Sequence, residues 1–415
     1  MKVLLVTMYF PPAGGGGVQR PLKFASHLPA LGIETHVLAP NDPKWLHEDS
    51  ELALPTQAWV HRARYLGPRG LKPAEVLHGK EGLERRRAQA ALLGRRLLVP
   101  DENVSWNLTA VPTAIRIARR EGIDAVLTTS PPNSVHLIGA AVQAATGAKW
   151  VADLRDSIAA HPHRRSESLA VRAKETTSAG IARLVASRAD AIVAAAEAIA
   201  EEARGLEPNG RVLTIANGCD FDDFAGLPYR RGDCFRLTHA GSFFGKRDPR
   251  PFLAALAESG LEDVTVRFVG DFRSSDREFV QSLDLAAHVE LVPYVPRRES
   301  LRLQRDSEAL LLLIPEAGGR GRGVLSGKVF EYLAAERPIL AAVPPDGAAA
   351  RLIRETGAGV VAASEDTGAL RAALEGLHAR WRAGELEATP LSPADRERLS
   401  RAARVEELAE LLRTL

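Results

Sequence analysis

ALLLLIPEAGGRGRGVLSGKVFEYLAAERPIL, residues 309–340, carries an apolar strand into a glycine-rich loop, then a helix, then a second apolar strand. The opening run is too short for a helix and stops at Pro315, which reads as a buried strand. Ser326-Gly327-Lys328 opens the helix, and Glu331 follows one turn on. A strand joined through a helix to a second strand over about 30 residues is the βαβ unit of a parallel sheet. The loop also sets Arg320 and Arg322 near Lys328 at a helix N-terminus. Cations and free backbone N–H groups together suit a phosphate there. It is not a P-loop, which would need glycine at Arg322 and a hydroxyl residue at Val329, so a nucleotide here reads as a handle rather than a triphosphate being hydrolysed.

The same alternation of short apolar runs and alanine-rich helical patterns extends in both directions. Upstream lie FRLTHAGS (235–242), TVRFVGD (265–271) and HVELVPYV (288–295), and downstream GVVAA (359–363). In the first half KVLLVTMY, ETHVLA, AVLTTS, KWVADL, AIVAA and RVLTIAN read as strands, with helices predicted over 19–31, 111–121, 134–145, 170–189 and 195–204. Such alternation specifies an α/β protein with parallel sheets. A charged, Gly/Pro-rich stretch at 226–233 reads as a hinge, and 415 residues at about 150 per domain allow more than one core. The predicted organisation is a domain over 1–226, a second over 227–392, and a C-terminal helical segment over 393–415.

Lys+Arg 54 against Asp+Glu 52 leaves only +2, which argues against a nucleic-acid binder that works by bulk charge. Nine of those basic residues are lysines and 45 are arginines, so a lysine at a particular loop position is unusual. Cys219 and Cys234 supply neither a disulfide framework nor a four-ligand zinc site and suit a reducing cytosol. The apolar start MKVLLVTMYFPP is cut short by Pro11-Pro12 and reads as a strand rather than a signal peptide. No apolar run reaches the roughly 20 residues of a bilayer span. Residues 62–98 are strongly basic, and LERRRAQAALLGRRLLVP sets Leu83, Leu92, Leu93 and Leu97 beside arginines. That pattern over residues 83–98 suits either peripheral contact with an anionic membrane or a surface helix with its apolar stripe inward.

Two more loops can approach an anion. PPAGGGGVQRP follows the first strand and puts Gly14, Gly15, Gly16 and Gly17 at the start of a helix. It is not a dinucleotide fingerprint, because the two possible registers need glycine at Gln19 or at Arg20. GSFFGKRDP carries Gly241, Ser242, Lys246 and Arg247 at a strand's C-terminal edge, where open α/β sheets bind ligands. Asp153 and Asp156 flank Arg155 in VADLRDS, and Arg155 is placed to pair with either carboxylate. His161-Pro-His163 lacks the partners of a metal site, and Asp220-Phe-Asp222 follows Ala216-Asn217-Gly218 in a manner that reads as a turn rather than a metal motif.

Taken in order, these segments resemble the large retaining glycosyltransferase group of GT-B fold known as family four or group one, in a bacterial subgroup. The resemblance spans nearly the whole chain and rests on PPAGGGGVQRPLKFASHLPALGIETHVLAP, TTSPPNSVHLIGAA with KWVADLRDS, TIANGCDFDDF, HAGSFFGKRDP and SGKVFEYLAAERPIL. It implies two Rossmann-like, doubly wound domains facing a cleft that closes on binding. The nucleotide-sugar donor would sit on the C-terminal domain and a glycan, lipid-linked or small-molecule acceptor on the N-terminal one, with the final helix crossing back. No cofactor and no metal are implied, and the setting is cytoplasmic polysaccharide biosynthesis.

Carried over by residue, the resemblance makes Lys328, Arg247 and Asp156 the catalytic candidates. Gly241, Ser242, Lys246, Arg247, Val295, Ser326, Gly327, Lys328 and Glu331 become donor contacts, with Lys328 on the diphosphate and Glu331 on the ribose. Gly15, Gly16, Gly17, Arg155 and Asp156 form the acceptor or phosphate loop. Two departures stand out: the family's first glutamate falls at Gly323, leaving Glu316 as a substitute only if the glycine-arginine loop folds back, and Arg155 stands where many members have histidine. An epimerase of the same fold and a non-catalytic nucleotide-sugar scaffold are the alternatives.

Overall fold

A computed structural model describes residues 1–42, 47–68, 82–158, 169–243 and 246–415. The chain divides into two compact units, the first built from residues of 1–216 with 405–415 and the second from 217–404.

In the first unit the strands are β1 (Lys2–Thr7), β2 (Glu34–Asn41), β3 (Trp59–Arg64), β4 (Ala125–Ser130), β5 (Lys149–Leu154), β6 (Ala191–Ala194) and β7 (Arg211–Thr214). They form one parallel sheet in the order β3-β2-β1-β4-β5-β6-β7. Helices α1 (Gly16–His27), α2 (Gly82–Leu97), α3 (Asn107–Glu121), α4 (Val135–Thr146), α5 (Leu169–Arg188) and α6 (Glu197–Arg204) make the connections. Both faces of β1 are buried: Val3 and Leu5 pack with Val18 and Phe24, while Leu4 and Val6 pack with Trp106, Ile138 and Trp150. Burial on two sides is why such strands read as continuous apolar runs.

Trp150 shows how closely this core is fitted. A Cβ on Gly139 of α4 would lie 2.2 Å from its indole nitrogen, so only glycine lets the helix rest there. The indole N–H donates to Thr128 Oγ1 at 2.9 Å, and that hydroxyl also meets His136 Nδ1 at 2.9 Å. Burial lowers the His136 pKa to about 4, so the ring is a neutral core group.

Strand β3 is the one element of this sheet that the apolar pattern does not announce. WVHRAR mixes His61, Arg62 and Arg64 into the run because β3 is an edge strand, with Trp59 64% exposed.

In the second unit β8 (Phe235–Ala240), β9 (Val264–Val269), β10 (Val289–Val292), β11 (Ala309–Leu313), β12 (Ile339–Ala342) and β13 (Gly359–Ala362) form a parallel sheet ordered β10-β9-β8-β11-β12-β13. The helices are α7 (Arg250–Ser259), α8 (Ser274–Ser282), α9 (Arg297–Arg305), α10 (Gly327–Ala335), α11 (Ala348–Glu355), α12 (Thr367–Arg382) and α13 (Pro393–Arg398). Phe235, Phe252, Phe268, Leu311 and Trp381 share its core. The strand order reverses between β8 and β11, the point at which doubly wound sheets leave a crevice at the strands' carboxyl ends.

The chain enters the second unit at Asn217, ten residues before the boundary drawn from the hinge-like stretch. There Cys219 bridges Ser400, with Cys219 N–H to Leu399 O at 2.7 Å and Arg401 N–H to Cys219 O at 2.9 Å. A final helix, α14 (Arg401–Arg413), begins at this bridge. Its Val405, Leu408, Ala409, Leu411 and Leu412 are buried in the first unit's core with Val18 and Phe24. Among the described residues no helix is long and apolar enough to cross a membrane.

Candidate active site

Strand β8 ends at Ala240, whose N–H donates to the buried Tyr332 hydroxyl at 2.8 Å. The next residue, Gly241, has φ +135°, and a Cβ there would fall 2.3 Å from Lys328 Nζ. Both the backbone angle and the space require glycine, and the absent side chain is what lets the ammonium lie against the strand's end. Ser242 is fixed by a reciprocal pair with Asp271, its hydroxyl donating to Oδ2 and accepting from the backbone N–H, each at 3.1 Å. Buried Arg247 donates to Ser242 O at 2.9 Å, which draws its guanidinium back over the same edge.

Burial, and secondarily the nearby Arg247, push Lys328 down from 10.5 to about 7, with Glu331 acting the other way. Burial also lowers Arg247. His239, buried on β8, has its pKa well below the ordinary value through burial, Lys328 and Arg247. Its Nδ1 donates to Leu311 O at 2.8 Å, which fixes the neutral tautomer. Two cations at one desolvated strand edge favour an anion between them. Ser326 caps α10 without a side-chain hydrogen bond, and Lys328 is the second residue of that helix, so it stands at the end where helix N–H groups lack intrahelical partners.

The loop between β11 and α10 folds back on itself. Ala317, Gly318 and Gly319 have φ +49°, +68° and +85°, and Arg320–Gly323 then makes a single 3₁₀ turn. Gly321 donates to Glu316 O at 3.0 Å, and its Cα is pressed so closely on Pro315 that a Cβ would meet that carbonyl oxygen at 1.9 Å. Glu316 thus stands at the base of the turn that Gly323 closes. A small recess, open to solvent, is lined by Arg247, Pro315, Ala317, Gly321 and Ser326. Arg322 reaches Asp346 at 3.3 Å, with both side chains exposed. Lys246 is half-buried beside Arg247, and half-buried Val295 follows β10 on the same unit.

Glu331, one turn into α10, is held from two sides. Arg297 Nη1 donates to its Oε2 at 2.8 Å and Gln304 Nε2 to its Oε1 at 2.6 Å. Neither α9 residue belongs to a recognisable motif, so no local signal in the sequence marks either.

In the first unit Gly15 has φ +89° and precedes α1, and a Cβ on Gly15 or Gly16 would meet nothing within 4 Å. Gly14 N–H donates to His47 O at 2.7 Å. Gly17 lies on the Tyr9 ring, and its carbonyl accepts from Arg155 Nη1. The expectation that Arg155 pairs with a flanking carboxylate is corrected here. It donates instead to three carbonyls, the others being Ser130 O at 2.7 Å and Pro131 O at 3.1 Å, and lies 5.7 Å from the Tyr9 ring. Arg155 thereby clamps the glycine loop to the end of β4.

Asp153 has a different partner, Arg20 of α1, at 2.7 Å with both side chains buried, and it also accepts from Thr129 Oγ1 at 2.6 Å. Arg20 extends the tie to the carbonyls of Ile215 and Ala216 at 2.8 and 3.1 Å. The pair is 133 residues apart in sequence, so no local pattern signals it. Asp156 is exposed just beyond β5. Asp220 binds Arg401 at 3.1 Å in the bridged turn. His161 and His163 lie outside the described residues.

Residues 15–218 match the family model described as glycosyl transferase 4-like domain. No curated protein sequence matches the chain. Among solved structures, a sucrose-phosphate synthase from Thermosynechococcus elongatus aligns with a TM-score of 0.64 at 15% identity, covering 100% of this chain and 98% of that one. HepE of Anabaena in complex with UDP-glucose aligns with a TM-score of 0.64 at 14% identity over 100% of both chains. A putative UDP-N-acetylglucosamine 2-epimerase from Listeria monocytogenes aligns less well, with a TM-score of 0.53 at 12% identity over 99% of this chain and 95% of that one. Two parallel-sheet Rossmann-like units with this pattern are the GT-B fold. The domain match covers residues of the first unit, and the fold of both units is GT-B.

Proposed function

We propose that this protein transfers a glycosyl group from a nucleoside-diphosphate sugar to a hydroxyl of a glycan, lipid-linked or small-molecule acceptor, with retention and with side-chain cations rather than a metal balancing the diphosphate. The observation that carries this reading is the convergence of Lys328, Arg247 and the head of α10 on the end of β8. As the bond from anomeric carbon to phosphate oxygen breaks, negative charge grows on the diphosphate. Groups aimed at that charge favour the transition state over the ground state. The acceptor oxygen forms the new bond on the same face, and its proton passes to the departing phosphate oxygen, which leaves as the nucleoside diphosphate.

HepE of Anabaena was solved with UDP-glucose, which makes UDP-sugars the first donors to test. Release of nucleoside diphosphate that depends on acceptor supports transfer; interconversion of donor without acceptor would mark an epimerase, and neither would mark a scaffold. Lys328→Ala is expected to lower kcat by about 10²–10³, the order seen when one such donor of charge stabilisation is lost. Near-normal turnover in the folded variant would remove Lys328 from the mechanism.

For the acceptor side, the exposed Leu83 beside exposed Arg85, Arg86 and Arg87 on α2 supports contact with an anionic membrane.

A further inference from the structure

Arg297 is the first residue of α9, entered from Pro296, and its guanidinium spans two carboxylates. Nε and Nη2 donate to Asp223 Oδ2 at 3.2 and 2.9 Å, while Nη1 donates to Glu331 Oε2 at 2.8 Å. All three side chains are largely withdrawn from solvent, at 15% exposure for Arg297 and 21% for each carboxylate. Asp223 is itself well anchored. It lies on the 3₁₀ turn Phe221–Phe224, directly after the Cys219–Ser400 bridge and the Arg401–Asp220 pair. Gln304, also on α9, holds the other oxygen of Glu331 while donating to Ser300 Oγ at 3.2 Å.

We infer that Arg297 is a positioning residue for ribose recognition, holding the Glu331 carboxylate in place against the fixed turn at Asp223. The inference rests on the proposed donor site. Each Glu331 oxygen accepts one hydrogen bond from α9 and keeps a further acceptor position, so the carboxylate is oriented yet able to receive a sugar hydroxyl. A planar guanidinium can serve both carboxylates at once, which an ammonium cannot do with the same geometry. Without it, two carboxylates would share a half-buried site, and one would take up a proton or swing toward solvent. Arg297 thereby supplies before binding the order that a ribose contact would otherwise have to impose.

The test compares UDP, GDP and ADP with their 2′,3′-dideoxy counterparts, binding measured by calorimetry on the full chain. The wild type should bind one ribonucleoside diphosphate about tenfold more tightly than its dideoxy form, the size of one good charge-assisted hydrogen bond. Arg297→Gln should remove most of that preference while leaving dideoxy affinity within about twofold, as should Glu331→Gln. Arg297→Lys should retain part of it, and it carries the test if Arg297→Gln does not fold. An unchanged ribose preference in the folded Arg297 variants, or equal weakening toward both forms, overturns the positioning role. A wild type that binds without preference overturns the Glu331 contact and leaves the diphosphate site standing. A wild type that binds no nucleoside diphosphate overturns the proposed function itself.

Discussion

Lys328 is where position, burial and charge meet most sharply. In the free protein it titrates near 7, whereas a bound diphosphate favours its charged form. Binding at pH 8 should therefore draw in close to one proton, and affinity for a nucleoside diphosphate should fall as pH rises above about 7, approaching tenfold per unit. Calorimetry in two buffers of different ionisation enthalpy measures the uptake, and Lys328→Arg should abolish it. The sign for stability is the opposite: with the folded pKa depressed, the unfolded chain holds the proton longer, so the free protein gains stability as pH rises from about 7 toward the ordinary lysine value. Arg20 and Asp153 make a second residue-scale case. Asp153→Ala leaves a buried guanidinium without its counter-charge and should cost about 3–5 kcal/mol in denaturant unfolding. A loss below about 1 kcal/mol would show that the carbonyls of Ile215 and Ala216 suffice to hold Arg20.

Among elements, those buried on both faces were legible in the sequence, because two-sided burial leaves an uninterrupted apolar run. β11 and α10 lie where ALLLL and GKVFEYLAA point. β3 was not legible, since an edge strand is free to carry arginine and histidine. The site divides in the same way. Gly241, Arg247 and Lys328 sit in loops with local signatures, while the Arg297–Glu331 and Arg20–Asp153 ties join residues 34 and 133 positions apart and have none. Helix α2 raises its own expectation: vesicles containing anionic lipid should co-sediment the protein in a salt-sensitive manner, and Arg85, Arg86 and Arg87 changed together to Gln should release it. Binding that ignores salt, or no binding, removes the membrane reading.

At the scale of the whole molecule, the two-unit organisation was legible from the restart of the strand–helix pattern. The crossover was harder to place, because the segment around Gly226 looks like a hinge while the chain changes unit at Asn217. What fixes Asn217–Asp220 is pairing with residues near 400, and Gly218 is glycine because a Cβ would meet Arg401 Cα at 2.6 Å. The segment 405–415 carries a consequence for biogenesis. Its leucines complete a core whose other residues begin at Val3, so the first unit emerges from the ribosome early yet stays unfinished until after all of the second unit has been made. During that interval the core lacks Leu408, Leu411 and Leu412, and an incomplete core exposes apolar surface to chaperones or to another nascent chain. The unit whose synthesis starts first is thus the one whose last core residues are made last.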